Sequence, residues 1–188
     1  MKKALALGTL LSGALLVGCS SSSASISPQE RLAVHFGARG EMHQALDTLR
    51  GEFEAVSYYW PRMGASARVS MGHMSGSWDE SQLAMSCEYQ GDLLGSPAEL
   101  TSALTWDDIR GCYVGMWTRT SGETVLTLCD GHADPEGDIV SMRCEDGATV
   151  REVLKIESAD HHVREVYRTL DSGEEYLSWR LEMVRISD

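Results

Sequence analysis

The fold is decided by the stretch His43-x-x-Leu46-x-x-Leu49-x-Gly51-x-Phe53. Apolar residues precede the glycine at helical spacing, which predicts a short helix with one apolar face; they are Met42, Ala45, Leu46 and Leu49. Gly51 supplies the backbone freedom needed to leave the helix. The stretch therefore indicates a helix that leads directly into a strand.

After Gly51 the side chains alternate with a period of two, as in a β-strand with two different faces. One face carries Phe53, Ala55, Ser57 and Tyr59, and the other carries Glu52, Glu54, Val56 and Tyr58. Phe53 is expected to plug one end of a barrel, with the helix packed over that end.

Short β-rich runs separated by turn residues fill the rest of the chain. The predicted strands are 52–60, 66–76, 82–91, 98–107, 111–119, 123–131, 137–144, 148–157, 162–169 and 175–186. About ten antiparallel strands joined by short hairpins favour an up-and-down barrel, because closure removes exposed edges. The fold class is therefore all-β with a short N-terminal helical segment. A two-sheet sandwich is the alternative architecture.

Composition limits the classes of partner. The chain has 188 residues, 43% of them hydrophobic, which suits one packed domain. Sixteen basic against 28 acidic residues give a formal charge of −12. Such a charge repels phosphate backbones, so nucleic acid is not an expected partner.

The N-terminus has the pattern of an export signal. Met1-Lys2-Lys3 is a basic start, and the apolar run from Ala4 to Val17 is shorter than the roughly 20 residues of a membrane-spanning helix. Leu16-Val17-Gly18-Cys19 resembles the lipobox of bacterial lipoproteins, which implies cleavage before Cys19 and acylation of that cysteine. Several acyl chains would anchor the protein stably to a lipid membrane. An ordinary signal peptide is the alternative.

The predicted organisation has three parts. Residues 1–18 are the lipoprotein signal peptide, 19–27 are a serine-rich tether, and 28–188 are one barrel domain with an N-terminal lid helix. Ser27-Pro28-Gln29-Glu30 has the pattern of a helix start, and that helix is expected to weaken at residues 37–40 and resume at Glu41. An aspartate directly after the acylated cysteine resembles an inner-membrane retention signal, and this chain has Ser20 at that position. We therefore expect the outer membrane, facing the periplasm, rather than the inner membrane.

Four further motifs, taken in order, resemble the 1579 family of domains of unknown function. They are Leu49–Glu54, Val150–Ile156, Asp160–Tyr167 and Glu182–Val184, within a span from His43 to Ile186. The family is similar in plan to calycin-like barrels, namely lipocalins, fatty-acid-binding proteins and nitrobindins. The resemblance implies a barrel fold and no agreed activity. Phe53 is a departure, because the family pattern prefers tryptophan there.

Period-two alternation and the matched positions give candidate residues for the lining of a cavity. They are Phe53, Arg151, Glu165, Tyr167 and Glu182. A buried arginine facing glutamates must be paired and hydrogen-bonded. Such a cluster could orient a polar head group or could simply stabilise the barrel interior. The alternation in the last strand does not show which of its faces is inside.

Metal, haem and cofactor sites are not predicted. His161 and His162 are neighbours in a strand and point to opposite faces, so they do not readily share one metal. Met71-Gly72-His73-Met74 contains soft copper ligands, but the chain lacks the methionine density of a copper carrier. Nitrobindins bind haem through a histidine near the C-terminus, and this chain has none after His162.

Four cysteines follow the lipobox: Cys87, Cys112, Cys129 and Cys144. An exported protein with four cysteines has three possible complete pairings. Cys129 and Cys144 are almost symmetrical about Glu136-Gly137, so a bridge between them across one hairpin is the expected disulfide.

The sequence contains no Gly-x-Ser-x-Gly elbow, phosphate-cradling loop or His-Glu-x-x-His motif, so an enzyme is not predicted. We expect an exported, lipid-anchored barrel that binds a small hydrophobic or amphipathic ligand in its cavity. A structural or interaction lipoprotein with a filled barrel and no ligand is the alternative.

Overall fold

The segment that leads into the first strand is helical, as the spacing of its apolar residues predicts. In the computed structural model, helix α1 (Glu41–Gln44) continues as a 3-10 helix (Ala45–Leu49). Gly51 then adopts a φ of 115°, a conformation that side-chain-bearing residues rarely adopt. We call Glu41–Leu49 the lid segment. The structure describes residues 38–93, 96–119, 124–145 and 148–187, but not the side chains of residues 93, 124–129, 143–145, 148 and 187.

Ten strands follow within those residues, each ending within two residues of its predicted limits. They are β1 (Gly51–Tyr59), β2 (Arg68–Trp78), β3 (Ala84–Leu93), β4 (Ser96–Asp107), β5 (Cys112–Arg119), β6 (Thr124–Ala133), β7 (Ile139–Glu145), β8 (Ala148–Ile156), β9 (His161–Thr169) and β10 (Glu175–Ser187). Each strand pairs antiparallel with its neighbours in sequence, and β10 pairs with β1 to close the barrel. The prediction of an all-β, up-and-down barrel with a short N-terminal helix is confirmed, and the alternative sandwich is wrong.

Where side chains are described, alternate residues of the strands face the interior. On β1, Phe53, Ala55 and Ser57 are buried, as the alternation predicts. On β10 the inward residues include Trp179 and Leu181, which pair in register with Tyr59 and Ser57. The hydrophobic core thus lies inside the barrel.

The lid segment covers the end of the barrel at which β1 begins, and we call this the lid end. Leu46 and Leu49 are buried there. The Tyr113 hydroxyl donates to the carbonyl of Met42 at 3.0 Å. The Arg185 guanidinium donates to the carbonyl of Thr48 at 2.7 Å, which joins the lid segment to β10.

None of the helices within the described ranges is long and apolar enough to span a membrane. The predicted signal peptide, the tether, Cys19 and the helix start at Ser27 all lie outside the described residues.

Candidate functional site

A charged pair lies inside the barrel. Glu152 on β8 and Arg164 on β9 are buried, and both belong to the inward-facing positions of their strands. Nε of Arg164 donates to Oε1 of Glu152 at 2.6 Å, and a second guanidinium nitrogen donates to the same oxygen. The guanidinium also lies over the Trp117 ring, 5.0 Å from its centre. Burial of two charges in this way requires the mutual pairing seen here.

Two buried polar atoms near this pair have no hydrogen-bond partner in the described part of the protein. The Trp117 indole nitrogen and the Ser141 hydroxyl are buried, and neither has a hydrogen-bond partner among the described residues. Ser141 is the register partner of Glu152 across β7 and β8. A buried polar group without a partner costs about 1–3 kcal/mol, so these atoms are available to a water molecule or to a polar group of a ligand.

A small cavity adjoins the pair. Its volume is about 20 Å³, which is enough for about one water molecule. Its lining is Leu49, Met74, Cys87, Ser102, Leu104, Trp117, Leu154, Arg164 and Met183. Burial raises the pKa of the Cys87 thiol to about 11, so the cavity wall offers a neutral thiol and not a thiolate. The side chains that line this space fill most of it.

Phe53 is the one predicted lining residue that faces the interior. It is fully buried at the lid end, with its ring 5.5 Å from the ring of His162. The guanidinium of Arg185, on β10, lies 4.8 Å from the centre of the Phe53 ring. Phe53 therefore packs where the lid segment meets the first and last strands.

The other four predicted residues come together, but on the outside of the sheet. Glu165 alternates with the core-facing Arg164 and Val166, so its side chain points outward. It accepts hydrogen bonds from the Tyr167 hydroxyl at 2.7 Å and from Lys155 at 2.9 Å. Burial raises the pKa of the Glu165 carboxyl, but the hydrogen bonds and positive neighbours outweigh it and leave the pKa below its usual value.

The rest of this outer cluster is also fully paired. Arg180 bridges Glu165 at 3.1 Å and Glu182 at 2.6 Å. Arg151 bonds to Glu175 at 2.6 Å and lies over the Tyr167 ring. The prediction that these four side chains line the cavity is therefore wrong. Alternation along a strand does not show which face is inside. The interior pair, Glu152 and Arg164, lies one position away from the predicted Arg151 and Glu165.

The remaining predictions concern cysteines and metals. Cys87 and Cys112 are buried free thiols, so neither of them forms a disulfide. The side chains of Cys129 and Cys144 are outside the described set, and the bridge between them stays a prediction. Across residues 38–187, apart from the gaps, no group of three or more His, Cys, Asp or Glu side chains is arranged to hold a metal ion.

The family model for "Protein of unknown function (DUF1579)" matches residues 38–185, most of the chain. The chain belongs to this family. The matched span of this DUF1579 protein runs from just before the lid segment to the last residues of β10, so the family domain and the closed barrel coincide. Comparison with curated proteins gave no match.

Solved structures of similar form share little sequence with this DUF1579 protein. The S-type phycobiliprotein lyase CPES from Guillardia theta has a TM-score of 0.54 at 12% identity, with 80% of this chain and 95% of that chain covered. A de novo designed fluorescence-activating β-barrel has a TM-score of 0.42 at 13% identity, covering 76% of this chain and 97% of that one. The likeness to the lyase shows the barrel fold and nothing about activity.

Proposed function

We propose that this protein is an exported, lipid-anchored barrel that binds one small amphipathic molecule at the interior pair Glu152–Arg164. The carrying observation is a buried ion pair beside a cavity, together with two buried polar atoms, on Trp117 and Ser141, that have no hydrogen-bond partner among the described residues. A ligand with one polar group and an otherwise apolar body suits that environment, because the polar group would find partners that the protein leaves unused.

The size of the cavity sets the manner of binding. A volume of about 20 Å³ does not admit an organic molecule, so lining side chains must move when the ligand enters. Met74 and Met183 line the cavity, and methionine is the apolar side chain that adapts to new shapes at low energetic cost. Leu49 of the lid segment lines the same cavity, so displacement of the lid segment would open it.

The anchoring part of the proposal is supported by the sequence alone. A basic start at Lys2 and Lys3, a short apolar run and Cys19 form the pattern of a cleaved and acylated N-terminus. The mass of the mature protein purified from membranes tests it. We expect a chain that begins at Cys19 with the added mass of acyl groups, and a Cys19→Ser variant without it. An unmodified Cys19 in the membrane fraction would contradict anchoring.

Ligand binding is tested by native mass spectrometry and lipid extraction of the full chain. We expect a co-purifying molecule at about one per barrel. A double variant, Glu152→Gln with Arg164→Met, removes both charges together, which avoids leaving one buried charge unpaired. It is expected to lose the molecule while its circular dichroism stays that of a folded barrel.

The matched control removes the outer pair instead, by Glu175→Gln with Arg151→Met. These residues form the same kind of ion pair at 2.6 Å, but on the outer face. The control is expected to retain the molecule. Wild-type protein with an empty interior would contradict the proposal.

A filled barrel that acts through its outer surface is the second candidate. The small cavity is the observation that favours it. The same experiment separates the two, since a filled barrel carries no stoichiometric ligand in the wild type or in either double variant.

A further inference from the structure

A second and larger concave site lies outside the barrel, beside the lid segment. This groove has a volume of about 450 Å³ and is lined by Arg39, Asp47, Arg50, Trp78, Gln82 and Arg185. A neighbouring depression of about 400 Å³ shares Arg50, Trp78 and Gln82 with it. Volumes of this order are typical of small-molecule sites, whereas the interior cavity is not of that size.

Three arginines meet in the groove of a chain whose formal charge is −12. Arg39 pairs with Asp47 at 2.5 Å, and Arg185 pairs with Asp160 at 3.0 Å. Arg50 has no ion-pair partner among the residues that the structure describes. Within the described part of the chain, the groove therefore presents one guanidinium without an ion pair beside two that are paired.

The wall of the groove is held together by contacts among its own residues. The Trp78 indole nitrogen donates to Oδ1 of Asp47 at 2.7 Å, and the Arg39 guanidinium lies 4.6 Å from the centre of the Trp78 ring. Arg39 also donates to the side-chain oxygen of Gln82 at 3.3 Å. Gln82 has a φ of 59°, a backbone conformation uncommon for a residue other than glycine. A wall assembled before binding reduces the entropy that a ligand must overcome.

We infer that this groove binds a phosphate ester through Arg50, with Arg39 and Arg185 as flanking cations and Trp78 as the wall for the organic part. A guanidinium matches phosphate oxygens with two parallel hydrogen bonds, which a point charge cannot do. Asp47 in the groove and Glu52 in the neighbouring depression disfavour a polyanion and can accept hydrogen bonds from hydroxyl groups. The ligand class is thus a single phosphate group joined to a neutral, hydroxyl-bearing group.

The ester has two possible sources, a free metabolite and the head group of an anionic phospholipid. The first described residues lie beside this site, since Arg39 lines the groove. A lipid head group comes within reach if the anchor proposed above holds the protein at a membrane. Only the lipid source rests on that proposal, and the site itself does not.

The test uses the full chain with Cys19→Ser, so that an acyl group cannot hold it on a membrane. Binding of glycerol 3-phosphate is measured by calorimetry, and binding to vesicles of phosphatidylcholine with and without phosphatidylglycerol by sedimentation. We expect binding to the soluble ester, to the phosphatidylglycerol vesicles, or to both, and the pattern identifies the source. Absence of binding in both arms overturns the inference.

Arg50→Gln is the diagnostic variant, because the side chain is exposed and forms no ion pair with a described residue, so that its replacement leaves the barrel folded. It should weaken binding by about tenfold or more, the usual effect of losing a charged hydrogen-bonding partner. Arg62→Gln is the matched control, an exposed arginine in the β1–β2 loop at the opposite end, and should change affinity by less than about twofold. Equal losses in the two variants would show non-specific charge attraction and overturn the site.

The interior double variant Glu152→Gln with Arg164→Met should bind the phosphate ester as the parent does. This result separates the two proposals, since failure of the interior ligand leaves the groove intact. Loss of ester binding in a folded interior double variant would place the ester inside the barrel and overturn the groove assignment.

Discussion

At the scale of single residues, His162 is an unusual buried group. It lies fully inside the barrel, and neither ring nitrogen has a hydrogen-bond partner among the described residues. Burial, together with the positive charges of Arg185 and His161, lowers the pKa of His162 to about 4, against a smaller opposing effect of Asp160. The imidazole is therefore neutral in the folded protein at neutral pH.

This pKa predicts acid-sensitive stability. Between about pH 6.5 and pH 4 the unfolded chain binds a proton at His162 that the folded chain does not, so stability is complete above that range and falls as the pH falls. The loss should approach about 3 kcal/mol at pH 4. Urea unfolding across this range measures it. His162→Leu should flatten the pH dependence, whereas His132→Gln, which removes an exposed imidazole, should leave it unchanged.

Glu165 shows a different balance on the outer face, because three donors compensate its burial. Glu165→Gln should destabilise the protein by about 2–3 kcal/mol at pH 7, since it leaves Lys155 and Arg180 without their shared carboxylate. Glu182→Gln removes one partly exposed ion pair and should cost less than about 1 kcal/mol. Similar unfolding free energies for the two variants would contradict the assigned role of Glu165.

Single residues also show where reasoning from sequence stops. Pairing between a buried arginine and a glutamate on neighbouring strands follows from the cost of an unpaired charge, and the structure contains such a pair. The paired residues are Arg164 and Glu152. Alternation in the sequence separates the two faces of a strand, but only the closed barrel shows which face is buried. The groove residues Arg39, Arg50 and Arg185 carry no shared motif, since they are up to 146 positions apart and meet only through closure of the barrel.

At the scale of elements, the hairpins follow from local chemistry. Gly137 and Gly173 have φ values of 92° and 87° in the β6–β7 and β9–β10 turns, a conformation that glycine adopts without strain. Asp134 accepts hydrogen bonds from the backbone of Glu136 and Asp138, which stabilises the β6–β7 turn. Strand limits are predictable here because each turn carries its own signal. The change from α-helix to 3-10 helix at Ala45 carries no comparable signal in the sequence.

The contact between the lid segment and β2 depends on Gly76. A Cβ atom built there would lie 1.9 Å from the carbonyl oxygen of Leu49, so any side chain displaces the lid segment. Gly76→Ala should lower the free energy of unfolding by about 2–3 kcal/mol, measured by urea denaturation followed by tryptophan fluorescence.

Gly40→Ala supplies the comparison, because a Cβ atom there meets nothing within 4 Å. It changes only the helix cap and should cost at most about 1 kcal/mol. If Gly76→Ala were as stable as Gly40→Ala, the lid segment would not be packed against β2 as observed.

At the scale of the whole molecule, closure joins residues far apart in sequence. The Trp179 indole nitrogen on β10 donates to the Ser57 hydroxyl on β1 at 2.9 Å, inside the barrel. The Trp60 backbone NH donates to the Ser178 carbonyl at 2.9 Å just beyond the end of β1. Such contacts form only when the first and last strands meet, so they report on closure rather than on any hairpin.

A double-mutant cycle measures how far this seam stabilises the closed barrel. Ser57→Ala should cost about 1–3 kcal/mol, because it leaves the buried Trp179 nitrogen without its acceptor. Trp179→Phe removes the donor and some packing. Ser57→Ala should then cost about 1 kcal/mol less in the Trp179→Phe background than in the wild type, and this difference is the coupling energy. Urea unfolding of the four proteins gives the coupling. Strict additivity would mean that the Ser57 and Trp179 side chains do not stabilise closure through their hydrogen bond.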